Sequence, residues 1–322
     1  MTKRILPALG LFLLSPLVAE FLLGNLPITS LSALIALAPL YGGGAVLIRE
    51  LVRHRGWGYS SVLLLALAYG VLEEGVTTQS LFNPNYADLR LLDPGHVAWL
   101  GMGVPWTLFV LTLHTVWSVT VPIVLVESAA RSRRPWLGRK GVVVSCVIFV
   151  FGVVATTAFQ LQSDSFVASP GQFVGVAVAI FGLVALAVWV GRRPVVREAG
   201  GVPADWVVGV FGLVVSSAFM VVDDAGLGAW MRVGAMLVLF AVALVVVRRW
   251  SRRTAWTARH STALAGGALL TYGWHAFPEH PVVDASKSVD LVGNVVFAVL
   301  AVGLVAVCWI RSGRSADATI QV

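Results

Sequence analysis

The segment GVLEEGVTTQSLFNPNY, residues 70 to 86, sets Glu73 and Glu74 side by side at the end of an apolar run that begins near Tyr59. His114 stands 40 positions beyond Glu74, inside the next apolar run. Two close carboxylates in a low-dielectric setting do not both ionise, because each raises the cost of charging the other. With an imidazole beside them they can activate a water as general base, relay protons, or hold a cation or amine. For the first of these chemistries Glu73 or Glu74 is the expected base and His114 the orienting or oxyanion-stabilising group. Asn83, Asn85, Tyr86, Trp117 and Ser118 are the expected substrate contacts. The competing interpretation has both glutamates at a helix end, reaching into interfacial water.

Other ionisable groups gather at the same side. Glu20 closes the first apolar run, Asp223 and Asp224 close the seventh, and WHAFPEHPVVDASK carries His275, Glu279, His280 and Asp284. The order His275-x3-Glu279-His280 matches no zincin or inverzincin pattern, and Pro278 interrupts the helix that would display such ligands. Asp88, Asp93 and His96 in the long loop are equally undiagnostic, so a metal is left open and no cofactor is expected. At the opposite side Glu50 and Glu127 lie near Arg49 and Arg131, as interfacial ion pairs do. Gly42, Gly43 and Gly44 lack the Lys and spacing of a phosphate loop and favour close helix packing over a local helix break.

These groups need elements to position them. The chain has 322 residues, 58% hydrophobic and 12% charged, more apolar surface than a soluble core of this length buries, which predicts an all-α polytopic membrane bundle. About ten apolar runs long enough to span a bilayer occur near 5–23, 31–50, 59–78, 105–127, 141–160, 172–191, 204–222, 229–248, 261–277 and 289–310. With both termini cytoplasmic, all of the 23 basic residues except Arg90, Arg232 and Lys287 fall in inner segments, as the positive-inside rule requires. Of the 12 Trp, only Trp117 sits deep; the rest lie near run ends, where an aromatic belt forms.

Basic residues dispersed between spans set topology, and no nucleic-acid partner is expected. The stretch Arg248–Arg259 mixes Arg with Trp and suits an anionic lipid leaflet. The first run follows MTKR but has no A-x-A site, so it is expected as an uncleaved helix. Cys146 and Cys308 are expected as packing residues. No linker divides the chain, which predicts one membrane domain over 1–322. Runs five to eight are Val-, Ala- and Gly-rich scaffold, whereas the costly polar groups concentrate in runs one to four, nine and ten.

Span three runs outward and puts Glu74 roughly 22 Å from the level of Tyr59, while span four runs inward and puts His114 roughly 13 Å below the outer boundary. The depths overlap in consecutive antiparallel spans, so contact is expected. Neighbouring helical residues point about 100° apart, which predicts that one glutamate, not both, aims fully at the partner.

Adjacent glutamates followed by a membrane His resemble the CAAX-protease and bacteriocin-processing family of intramembrane glutamate proteases over residues 65 to 120. The resemblance implies a glutamate and a histidine activating water, with Glu73 and Glu74 matching its Glu-Glu pair and His114 its Phe-x3-His. Thr78 stands where that family has Arg, Val110 where it has Phe, and Asp290-x3-Asn294 where it has His-x3-Asn. The chain more closely resembles multi-pass prokaryotic membrane proteins of unassigned activity. The expectation is therefore a prokaryotic plasma-membrane protein, best read as a hydrolase or a lipid- or peptide-modifying enzyme open to the outer face. The alternative is a small-solute or ion transporter in which Glu73 and Glu74 couple protons.

Overall fold

The computed structural model describes residues 2–313, and Arg314 with the rest of the C-terminal end, expected on the inner side, lies outside them. The described chain is mostly helical, with almost no strand. Its helices are α1 Thr2–Pro16, α2 Ala33–Leu37, α3 Tyr41–His54, α4 Tyr59–Leu72, α5 Val104–Leu113, α6 Val121–Ala130, α7 Arg139–Ser163, α8 Pro170–Gly191, α9 Asp205–Asp224, α10 Ala229–Ser251, α11 Ala258–His275 and α12 Lys287–Gly313. One two-residue antiparallel pair, β1 His96–Val97 with β2 Met102–Gly103, staples the long loop between α4 and α5.

Eight helical segments among the described residues are long and apolar enough to cross a membrane. The other two expected runs differ for identifiable reasons. Run two is broken between α2 and α3 at Ala38–Leu40, where Pro39 cannot donate to a helix ladder. Run nine is α11, which carries Arg259, His260 and several Ser and Thr and is largely enclosed by other helices.

Burial divides the bundle. The windows of α4 and of α5 with α6 are each 67% buried, whereas most of α7, α8 and α10 faces away from the protein. Apolar residues facing outward on long helices cost little when the surroundings are hydrocarbon. The most enclosed runs are therefore polar ones, three and four, whereas run ten, α12, is only 28% buried, and the Val- and Ala-rich α7, α8 and α10 form the outward-facing shell.

Small residues permit the closest approaches. A Cβ on Gly42 would lie 1.9 Å from the Phe12 carbonyl oxygen, and one on Gly44 would lie 2.7 Å from the Tyr69 ring. The glycine triplet thus packs α3 against α1 and α4, while the helix break lies just before it. Likewise a Cβ on Gly267 would lie 2.1 Å from the Gly209 carbonyl oxygen, so α11 and α9 meet backbone to backbone.

Candidate functional site

Three segments of the bundle abandon α-helical winding for the wider π form: Leu17–Leu22 after α1, Glu73–Thr77 after α4, and His114–Thr120 between α5 and α6. Each contains one of the costly groups: Glu20, the Glu73–Glu74 pair, and His114. The widening is visible in the backbone, where the amide of Thr78 donates to the carbonyl of Glu73 five residues back at 2.8 Å. A π turn inserts a residue into a helix and re-aims the side chains around it, and such turns collect at functional sites.

The re-aiming lets both glutamates reach one imidazole. Nε2 of His114 lies 2.6 Å from Oε1 of Glu74, and Nδ1 lies 3.1 Å from Oε2 of Glu73. The expectation that one glutamate would aim at the partner assumed regular α winding and a single contact point. The observed turn is wider, and the ring offers nitrogens on two edges. All three residues are buried. Gly70 makes room for the ring, since a Cβ there would stand 3.1 Å from the His114 Cβ.

The two carboxylates are not equivalent. Glu74 is saturated: Oε1 faces His114, while Oε2 accepts from the Thr78 hydroxyl at 2.8 Å and from the Ser80 hydroxyl. The indole N–H of Trp106 in turn donates to Ser80 Oγ at 3.2 Å. Glu73 Oε2 is close to the imidazole but no group among the described residues meets it with hydrogen-bond geometry. Tyr69 OH and Thr77 Oγ1, one helical turn to either side of Glu73, are also buried with no hydrogen-bond partner among the described residues. Three unpartnered oxygens at i, i+4, i+8 spacing form a strip that can accept and donate to a small polar molecule.

Aromatic rings enclose the imidazole. Tyr41 stacks on His114 and Tyr69 meets it edge-on, each with centroids 6.0 Å apart. The Tyr41 hydroxyl donates to Glu20 Oε1 at 2.5 Å, and Asn25 donates to Glu20 Oε2 at 3.1 Å. Tyr86, in the loop between α4 and α5, is half-buried. Burial, followed by the negative charges of Glu74, Glu20 and Glu73, holds its phenol well above the ordinary tyrosine range.

The remaining expected contacts lie in different surroundings. Ser118 Oγ is 3.3 Å from His114 Nδ1, within the site. Trp117 is turned toward α11, stacked on Tyr272 at 4.7 Å with its N–H on the Ala268 carbonyl at 2.8 Å. Asn83 is buried and donates to Asp164 at 2.5 Å, tying the loop to the end of α7, and Asn85 is exposed beside Asp88. Glu20, Tyr41, Tyr69, Thr78 and Ser80 join the site beyond those the sequence singled out.

At the other end, Glu50 and Glu127 are held in a closed ion-pair lattice. Glu127 accepts from Arg49 Nε at 3.0 Å, from Arg53 at 2.7 and 2.8 Å, and from Tyr59 OH at 2.9 Å. Glu50 binds Arg49 and the backbone amides of Trp136 and Leu137. The Arg49 guanidinium lies 3.4 Å from the centroid of the Trp136 ring. Glu50 directly, and Arg49 through the Arg134 carbonyl at 2.7 Å, thus pin the 131–138 loop to α3. A cavity of about 700 Å³ beside this lattice, lined by His54, Ser132 and residues 134–138, shares no residue with the His114 site.

A family model described as an uncharacterized membrane protein family matches residues 9–319. No curated protein and no solved structure matches the chain.

Proposed function

The chain belongs to this family of membrane proteins, and from the geometry around His114 we propose that it is a membrane-embedded hydrolase or lipid- or peptide-modifying enzyme whose general base is Glu73. The observation that carries the proposal is the inequality of the two carboxylates. Glu74 has every oxygen engaged and anchors the imidazole, whereas Glu73 keeps a buried oxygen unpartnered beside Tyr69 and Thr77. A base must have a free lone pair within reach of the proton it takes.

In the proposed reaction Glu73 removes a proton from a water as the water oxygen bonds to a substrate carbonyl carbon. The bond from that carbon to its amine or alkoxide then breaks, and the proton passes from Glu73 to the departing group. His114, flanked by two carboxylates, carries positive charge that offsets the negative charge developing on the carbonyl oxygen. Glu74 fixes the ring's orientation, as the buried carboxylate of a catalytic triad does.

Substrate enters in this reading from the outer side past Tyr86, and the whole chain acts as one domain of a prokaryotic plasma membrane. The Arg248–Arg259 stretch rests on an anionic inner leaflet. Support for a hydrolase over a proton-coupled transporter comes from Glu50 and Glu127. The inner acidic groups that a proton path would use are each already bound by Arg49, and Glu127 also by Arg53.

The test compares cells expressing the wild type or Glu73→Gln by mass spectrometry of membranes, cell interior and medium. A lipid or peptide converted by the wild type and left intact by the variant supports the enzyme and identifies its substrate class. Unaltered species redistributed between cells and medium would establish transport instead, and identical profiles would remove Glu73 from any chemistry.

A further inference from the structure

A second cluster lies at the C-terminal ends of α9 and α11, built from residues that no role has so far absorbed. His275 closes α11 and is 3% exposed, yet neither ring nitrogen has a hydrogen-bond partner among the described residues. Its Nε2 lies 3.4 Å from Oδ2 of Asp224 and 3.4 Å from Oε1 of Glu279. One ligand atom from each of the three lies within 4.8 Å of the others. A buried imidazole with no partner is costly, and here it is aimed between two carboxylates.

The distances separate two explanations. A charge-assisted bond between imidazolium and carboxylate closes to about 2.7–2.9 Å, as His114 and Glu74 do at 2.6 Å. At 3.4 Å the groups of the second cluster do not make that bond. Two ligand atoms on one tetrahedral zinc, each about 2.0–2.2 Å from it, stand about 3.3–3.5 Å apart along the tetrahedron's edge. Both nitrogen-to-oxygen separations fall in this interval.

The surroundings direct these three residues and not their neighbours. Arg232 takes Asp223 at 3.2 Å, leaving Asp224 to face His275. Pro278 does not separate His275 from Glu279, because the chain continues as a turn through residues 276–278. Gly24, at φ +99°, lets the loop after α1 press against Ala276 and Glu279, where a Cβ would stand 3.2 Å from each. The amide of Val282 donates to the Asn25 carbonyl at 2.9 Å and holds the strand of chain beyond Glu279 in place. Asp224 is exposed and Glu279 partly so, so an ion reaches the site from water.

We propose that Asp224, His275 and Glu279 form a binding site for a divalent transition metal of the zinc type, with water completing the tetrahedron. One imidazole with two carboxylates suits zinc, whereas magnesium prefers an all-oxygen octahedron that retains its own waters. The ion would join the ends of α9 and α11 to the turn after α11. The site is independent of the chemistry assigned to Glu73.

The test is titration of purified, metal-stripped protein in detergent with Zn²⁺ alone, read by calorimetry and by the thermal unfolding temperature. The wild type is expected to bind one equivalent and to unfold at higher temperature with Zn²⁺ present. Asp224→Asn/Glu279→Gln keeps the side-chain shapes at accessible positions and is expected to weaken this binding by at least about tenfold. Glu73→Gln/Glu74→Gln, which alters the other carboxylate and histidine cluster, is expected to retain it. Equal affinity of the wild type and the Asp224→Asn/Glu279→Gln protein would overturn the proposal, as would loss of binding in the Glu73→Gln/Glu74→Gln protein alone.

Discussion

His114 and Glu74, 40 residues apart in sequence, are joined by a 2.6 Å contact between Nε2 and Oε1 that is buried at both ends. The same ring turns its other nitrogen to Glu73 at 3.1 Å, so one imidazole faces two carboxylates. Removing one partner of a buried charge set costs more than never having built the set, because the remaining charge stays desolvated. His114→Ala is therefore expected to lower stability by about 3–5 kcal/mol. Adding Glu73→Gln and Glu74→Gln to it is expected to restore a large part of that loss, which equilibrium unfolding of the wild type, His114→Ala and the triple variant in detergent would measure. A triple variant no more stable than His114→Ala would show that the ring contributes packing and not charge.

The Arg49 lattice gives a parallel case without a proposed chemistry. Arg49 and Glu50 are fully buried and Glu127 nearly so. Arg49→Met leaves Glu50 and Glu127 short of a donor and is expected to cost about 3–5 kcal/mol. Product profiles of surviving protein should be unchanged, since no residue of the lattice contacts His114. Activity lost together with stability would be uninformative, so the measurement is turnover per folded molecule. A fall in that ratio would tie the lattice to the site.

Packing through glycine predicts opposite signs at two positions near α1. Gly42→Ala places a methyl 1.9 Å from the Phe12 carbonyl oxygen, a backbone atom that cannot swing aside. A loss of about 1–3 kcal/mol or more is expected from the overpacking. Gly10 has nothing within 4 Å of an added Cβ, and Gly10→Ala is expected to be neutral or to gain about 0.5–1 kcal/mol from helix preference. Equal effects at the two positions, read as shifts in unfolding temperature, would contradict the α1–α3 contact.

Much of this arrangement was legible in the sequence, and what was not has physical causes. Runs of apolar residues located the lipid-crossing helices because hydrocarbon forces every backbone group into a helix. The meeting of Glu74 with His114 followed from depth in two consecutive antiparallel spans. The π turns were hidden, since no residue type marks them, and with them the convergence of both glutamates on one ring. Glu20 was visible as a polar group at a span end. Its tie to Tyr41 depends on α3 crossing α1 at Gly42, a close approach that spacing along the chain does not encode. The same holds for Asp224 and His275, brought together by the backbone contact of Gly209 with Gly267. Run two read as continuous because its composition is uniformly apolar, although Pro39 marked the break.

Tyr86 supplies a prediction with a defined pH sign. Its phenol, held by burial and by the negative charges of Glu74, Glu20 and Glu73, keeps its proton more tightly in the folded protein than in the unfolded chain. A raised folded-state value contributes stability that is fully present below the unfolded value, near pH 10. That contribution is lost as pH rises from there through the folded value. Tyr86→Phe removes the titrating group and keeps the ring. The wild type should therefore lose stability more steeply than Tyr86→Phe above about pH 10, while the difference between the two stays constant at lower pH. Unfolding measured in parallel from pH 7 to 11 tests this. Parallel curves across that range would place the hydroxyl in water, away from the acidic cluster, and would remove Tyr86 from the entrance of the site.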